Sequence, residues 1–176
     1  MSGGKKIVVI IGSATKNSSN WKLIQYAIKT SSIDFEIYDD LSIFPHFDTQ
    51  LTDHNTPVEI LKIREDIKGS AGVLFSTPEY IFSIPSRLKN LLEWCVSTTI
   101  FSEKPVAVIT ASAQGEKAHA ELLLILRTLG AATESDHQLL IKGIKSKFDE
   151  NGNIENNTFA MISNLMISFE NSIFHN

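Results

Sequence analysis

Ile7-Val8-Val9-Ile10-Ile11-Gly12-Ser13-Ala14-Thr15-Lys16-Asn17-Ser18-Ser19-Asn20 decides how the rest of the chain is read. Five consecutive apolar residues, with no alternation to leave one side in water, describe a strand buried on both faces. Gly12 ends the run, hydroxyl-bearing residues follow, and Trp21, Ile24, Ala27 and Ile28 then recur at helical spacing. A strand passing through such a loop into a helix is a natural anion site, because the first helical turn leaves N–H groups unpaired and carries a partial positive charge. Hydroxyls add donors with little bulk, and Lys16 adds charge. The stretch reads as a phosphate cradle; the alternative is a capped helix whose Ser and Asn side chains satisfy only their own backbone. It lacks the second Gly and the Gly-Lys-Ser/Thr ending of a triphosphate loop, and it does not match Gly-x-Gly-x-x-Gly. With more hydroxyls than glycines, a single terminal phosphate is the better fit.

Strand and helix patterns then alternate along the chain. Residues 34–38, 71–76 and 105–110 read as strands, and a fifth lies within 133–141. Helical patterns run from Val58 to Lys68, from near Pro85, up to Gly130, and from Phe159 to Ile173. Alternation of this kind implies a doubly wound α/β domain: a five-stranded parallel sheet with helices on both faces. No repeat or linker interrupts it, so residues 1–176 read as a single domain. The connection 39–57, carrying Phe44-Pro45-His46-Phe47, is long enough to suggest function.

Ligands of such sheets bind at the carboxyl ends of the strands, so the loops after strands one, three and four should converge. In the second of these, Pro78-Glu79-Tyr80-Ile81 offers a stiff wall for a flat ring, with Tyr80 and Phe82 able to cover a face; a plain turn is the alternative. Glu79 has no paired His or carboxylate to make it a general base, and reads as solvated or helix-capping. Residues 111–116 form the third loop.

Charge and composition exclude several partners. A net charge of -4 without a run of Lys or Arg argues against nucleic acid and against an anionic membrane. The leading apolar run is too short for a signal-peptide core or a membrane span. One cysteine cannot form an internal disulfide, which fits a reducing compartment and a cytoplasmic protein. Cys95 reads as a core filler. His46, His54, His119, His137 and His175 lack metal-ligand spacing and read as surface or loop residues, so no metal is expected. Leu122-Leu123-Leu124-Ile125-Leu126 is apolar all round its helix, and a subunit interface is the natural cover for its outer face.

Gly12-Ser13-x-x-x-x-Ser18-x-Asn20, Thr77-Pro78-Glu79-Tyr80 and Ser83-x-Pro85-x-x-Leu88-Lys89-Asn90-x-x-Glu93-Trp94 together resemble the NADPH-dependent FMN reductases. That flavodoxin-like family also includes quinone, chromate and azo-dye reductases. The likeness continues through Leu126-Arg127-x-Leu129-Gly130-Ala131 and covers most of residues 6–141. It implies FMN as cofactor, with its phosphate on Ser13, Thr15, Ser18 and Asn20. The isoalloxazine would lie against Pro78, Glu79, Tyr80 and Ile81 and against the third loop at Ser112 to Gly115. It implies NADPH or NADH as hydride donor, a small-molecule acceptor such as a flavin, quinone or azo compound, and a homodimer or homotetramer. Under that reading the cofactor carries the chemistry and no catalytic side chain is expected. The chain departs from the family at Thr15, where Arg is usual, at Ile81, where Asn is frequent, and in a third loop poorer in Gly.

A flavodoxin-like electron carrier without nicotinamide-dependent activity is the competing reading, against which the modest acidity argues. A signalling receiver domain would need acidic residues where Gly12-Ser13 and Thr77-Pro78 stand.

Overall fold

A computed structural model describes residues 5–52 and 54–174. Strands β1 (Lys6–Ile11), β2 (Asp34–Tyr38), β3 (Gly72–Thr77), β4 (Val106–Ser112) and β5 (Gln138–Lys142) form one sheet in the order β2-β1-β3-β4-β5. Every pairing is parallel. This 2-1-3-4-5 order is that of flavodoxin-like folds, with the winding reversing between β1 and β3. The helices are α1 (Ser19–Lys29), α2 (Val58–Gly69), α3 (Ser86–Trp94), α4 (Glu116–Thr128) and α5 (Asn156–Phe174).

The continuous apolar strands are explained by two cores. Ile7, Val9 and Ile11 of β1, with Leu74, Ala107 and Ile109, pack on Leu23, Ile24 and Ala27 of α1 and on Ile162, Met166 and Phe169 of α5. Val8 and Ile10, with Val73, Phe75 and Val108, face the other way, onto Ile60 and Ile63 of α2, Leu88 and Trp94 of α3, and Leu122 and Leu126 of α4. Successive side chains thus serve opposite layers, as strand geometry requires.

Some boundaries differ from the sequence reading. β4 extends to Ser112 because Ala111 and Ser112 pair with Ile141 and Lys142 of β5. α1 starts at Ser19, two residues ahead of the first apolar position, because the Ser18 hydroxyl accepts from the Trp21 N–H at 3.2 Å and caps it. His137 is not a surface residue: it is 3% exposed, in the short turn before β5, with its ring edge-on to Phe169 at 5.5 Å. His119 is half-buried on α4, its Nδ1 2.8 Å from the Thr110 hydroxyl, and burial lowers its pKa. His46 and His54 are exposed, and His175 lies outside the described residues. Among the described residues no cluster of three or more His, Cys, Asp or Glu is placed to hold a metal.

Cys95 is a core filler: it is buried, its thiol donates to the Leu91 carbonyl at 3.3 Å, and burial pushes its pKa from 9.0 up to about 12. Burial, and then the Asp66 carboxylate, push Tyr38 from 10.0 to about 12. Both groups keep their protons longer in the fold than in the unfolded chain. Their contribution is therefore complete below pH 9 and lost as pH rises towards 12. The urea midpoint should be flat near neutrality and fall in alkali, and Cys95→Val should remove part of that slope. A slope unchanged in the variant would show that the thiol is not its source.

Candidate functional site

The carboxyl ends of β1, β3, β4 and β5 open into one cleft of about 700 Å³, lined by residues 13, 15–20, 78–80, 111–113 and 143–146. One end is a polar cradle. The Gly12 N–H donates to the Ser76 carbonyl at 2.8 Å, drawing the end of β1 against β3. A Cβ on Gly12 would lie 2.6 Å from the Thr77 hydroxyl oxygen and 2.9 Å from Leu88 Cδ2, so no larger residue fits without displacing the wall. Ser13 is buried and its hydroxyl oxygen accepts from the Thr15 N–H at 3.3 Å. Asn17 turns the loop through a left-handed conformation, φ 57°. The first turn of α1 contains no acidic residue. Hydroxyls of Ser13, Thr15 and Ser18, the Lys16 ammonium and the free N–H groups of that turn make a donor set suited to a phosphate.

Asn20, which lines the cradle, is tied into the fold by its side chain. Its side-chain amide donates to the Ala111 carbonyl at 3.1 Å, and its Oδ1 accepts from the Ser76 hydroxyl at 3.1 Å. The side chain is buried, clasping the ends of β3 and β4 to the first turn of α1 and so positioning the cradle.

The opposite wall is Pro78-Glu79-Tyr80. The Glu79 carboxylate turns to α4, where it accepts from the N–H groups of Gly115 (3.3 Å), Lys117 (2.9 Å) and Ala118 (3.0 Å). This is helix capping, charge on dipole, rather than proton chemistry. Gly115 is buried in a left-handed conformation (φ 99°) that only glycine adopts without strain. Ser112 closes the contact between the two loops, its hydroxyl donating to the Glu79 carbonyl at 3.4 Å. Glu79→Ala should cost about 1–2 kcal/mol of stability and speed amide exchange in the first turn of α4. Unchanged exchange there would refute the capping role.

Beyond Tyr80 the chain reverses. Tyr80 and Ser83 exchange N–H···O bonds of 3.0 and 3.1 Å around Ile81 and Phe82, whose φ values are 51° and 58°. Two positive φ values at the centre mark a type I′ turn, which favours Asn and Gly. For residues with a Cβ the left-handed region costs about 1–2 kcal/mol each.

Of the residues singled out from sequence, Ser13, Thr15, Ser18, Asn20, Pro78, Glu79, Tyr80 and Ser112 line the cleft. Ile81 points into solvent and Gly115 lies beneath the wall, so neither lines it. The loop after β5 was not anticipated: Gly143, Ile144, Lys145 and Ser146 form a fourth side, held by the Gly143 N–H on the Ala113 carbonyl at 3.1 Å. The signal was available, since all parallel strands end on one edge. Lys16 and Lys145 place positive charge in the cleft, and its one carboxylate is turned onto α4. At the rim Glu116 pairs with Lys142, whose bond to it holds the carboxyl below its usual range.

The family profile described as NADPH-dependent FMN reductase matches residues 5–145. A 2-hydroxy-1,4-benzoquinone reductase of a Burkholderia species is 30% identical over 156 residues, covering 85% of each chain. An NAD(P)H-dependent FMN reductase of Pseudomonas aeruginosa is 29% identical over 160 residues, 88% of this chain and 86% of that protein. Among solved structures, the flavoenzyme NAD(P)H:(acceptor) oxidoreductase FerB of Paracoccus denitrificans superimposes with a TM-score of 0.84 at 26% identity, covering 97% of both chains. Strand order, cleft and match over most of the chain agree: this protein belongs to the NADPH-dependent FMN reductase family.

Proposed function

We propose that the cleft holds FMN and that the protein is an NAD(P)H-dependent reductase of small acceptors, quinones and flavins among them. The observation that carries the reading is the cleft's polarity: a cationic, hydroxyl-lined cradle at one end and a rigid Pro-Glu-Tyr wall at the other. In this reading Ser13, Thr15 and Ser18 hold the phosphate with the N–H groups of the α1 first turn, Lys16 stands in for the usual Arg, and Asn20 keeps the strand ends in register. Pro78, Glu79 and Tyr80 receive the ring system through their backbone, with Ser112 across from them. Bound FMN supplies a two-electron relay, so that NAD(P)H, a proton and a quinone become NAD(P)⁺ and a hydroquinone. The chain's own part is to orient the rings and leave one face open; no side chain need act as acid, base or nucleophile.

Purified protein titrated with FMN and then, without oxygen, with NADPH or NADH tests this. Bound-flavin absorbance that bleaches promptly supports the reductase. Binding without bleaching would leave a flavodoxin-like carrier, and no binding would overturn the reading.

The α3–α4 face supports self-association. Phe47, Leu92, Val96, Leu124, Ile125 and Leu129 line an apolar groove of about 380 Å³, with Leu124 66% and Val96 62% exposed. A second copy of the chain would cover it, giving a dimer or tetramer. A monomeric mass at micromolar concentration would sink that reading. No described helix is long and apolar enough to cross a membrane. A single cysteine, with no internal disulfide to form, supports a reducing, cytoplasmic site of action.

A further inference from the structure

The turn after the cleft wall carries an unexplained pair. Ile81 is 96% and Phe82 69% exposed, on a turn whose geometry favours Asn or Gly at both places. Neither local conformational preference nor packing within the subunit accounts for them. The turn is also held rigidly. The Ser83 hydroxyl and the Ile84 N–H donate to the Glu121 carboxylate at 2.7 and 3.0 Å, and Pro78 and Pro85 flank it. Two large apolar side chains are thus fixed in water at a conformational cost, next in sequence to Tyr80, which lines the cleft and is itself exposed. Strain of this kind persists where it serves a site.

We propose that Ile81 and Phe82 form the apolar rim of the acceptor seat, taking the flat ring of a quinone-type acceptor and favouring it over charged acceptors. The inference rests on the flavin reading of the cleft. The occupant follows from chemistry: the turn bears no charge to attract an anion, and the cleft's cations lie elsewhere, on the cradle and the β5 loop. An aromatic edge and a branched aliphatic side chain beside Tyr80 match an uncharged ring.

The test compares the FMN-loaded protein with the double variant Ile81→Asn, Phe82→Gly, which installs a favoured type I′ pair. 2-Methyl-1,4-naphthoquinone is titrated without nicotinamide and followed by quenching of protein fluorescence; separately, kcat/KM is measured with NADPH for that quinone and for ferricyanide. The expected result is a quinone Kd about tenfold weaker, equivalent to about 1.4 kcal/mol, a matching rise in quinone KM, ferricyanide turnover within about twofold, and a higher Tm as strain is relieved. An unchanged quinone Kd with an unchanged acceptor ratio overturns the proposal. So does an equal fall for both acceptors, and so does a change in oligomeric mass with no change in the ratio, which would assign the pair to a subunit contact. Failure of the wild-type protein to bind FMN would remove the flavin reading itself, and is seen before any quinone is added.

Discussion

Trp94→Ala should cost about 3–5 kcal/mol, in the range for deleting a large aromatic from a packed core. Trp94 is fully buried at the end of α3, within the core that joins α2, α3 and α4 to the sheet. Its ring meets Phe47 edge-on at 5.3 Å, and its Nε1–H donates to the Pro45 carbonyl at 2.8 Å. Asn90 makes the companion bonds, donating to the same carbonyl at 2.9 Å and accepting from the Phe47 N–H at 2.7 Å. Truncation therefore opens a cavity and releases half of the tether of the Phe44–Phe47 segment. For a chain of this length the loss corresponds to a fall in Tm of about 6–20 °C. Trp94→Phe, which keeps most of the ring and gives up the donor, should cost about 1–2 kcal/mol. Equal losses in the two variants would assign the role to the hydrogen bond alone, and a loss under about 2 kcal/mol in Trp94→Ala would contradict the packing account.

Gly12→Val should act on the cradle. The added Cβ meets Thr77 and Leu88 at distances that force one of them to move, and the valine methyls deepen the clash. Overpacking of this kind costs about 1–3 kcal/mol. Because the displaced wall borders the phosphate loop, FMN affinity should fall at least tenfold, about 1.4 kcal/mol or more. Quenching of flavin fluorescence gives the affinity, and a urea titration of the cofactor-free protein gives the stability. Lower stability with unchanged affinity would place the phosphate away from this loop.

How much of this was legible differs by element. The inner strands β1, β3 and β4 were readable because they are buried on both sides, which writes an apolar run directly into the chain. The edge strand β2, Asp34-Phe35-Glu36-Ile37-Tyr38, showed itself by alternation, and the other edge, β5, which alternates half-buried and buried residues, was legible only to within residues 133–141. The loops were readable in position but less so in role. Asn20 carries the residue type of a phosphate ligand, yet its partners are Ser76 and Ala111, far along the chain, and no local spacing reports them. Glu79 was ambiguous for the same reason: whether a carboxylate is solvated or caps a helix depends on where α4 begins in space. His137 was misplaced because a short polar turn reads as surface unless the helix that covers it is known, and here Phe169 of α5 does so. The β5 loop escaped because Gly-Ile-Lys-Ser carries no chemistry of its own until β5 is added to the same edge.

The Asn20 clasp also bears on the order in which the molecule is made. Its two bonds join residues 56 and 91 positions apart, and the second needs β4 in place. Contacts so distant in sequence form late, after local helices and the first strand pairs. A nascent chain that has released only its first hundred residues has the hydroxyl-rich loop and Ser76, but not the Ala111 carbonyl that completes the clasp. The cradle's full set of supports is therefore assembled only once the chain has folded through β4, long after its own loop has been made.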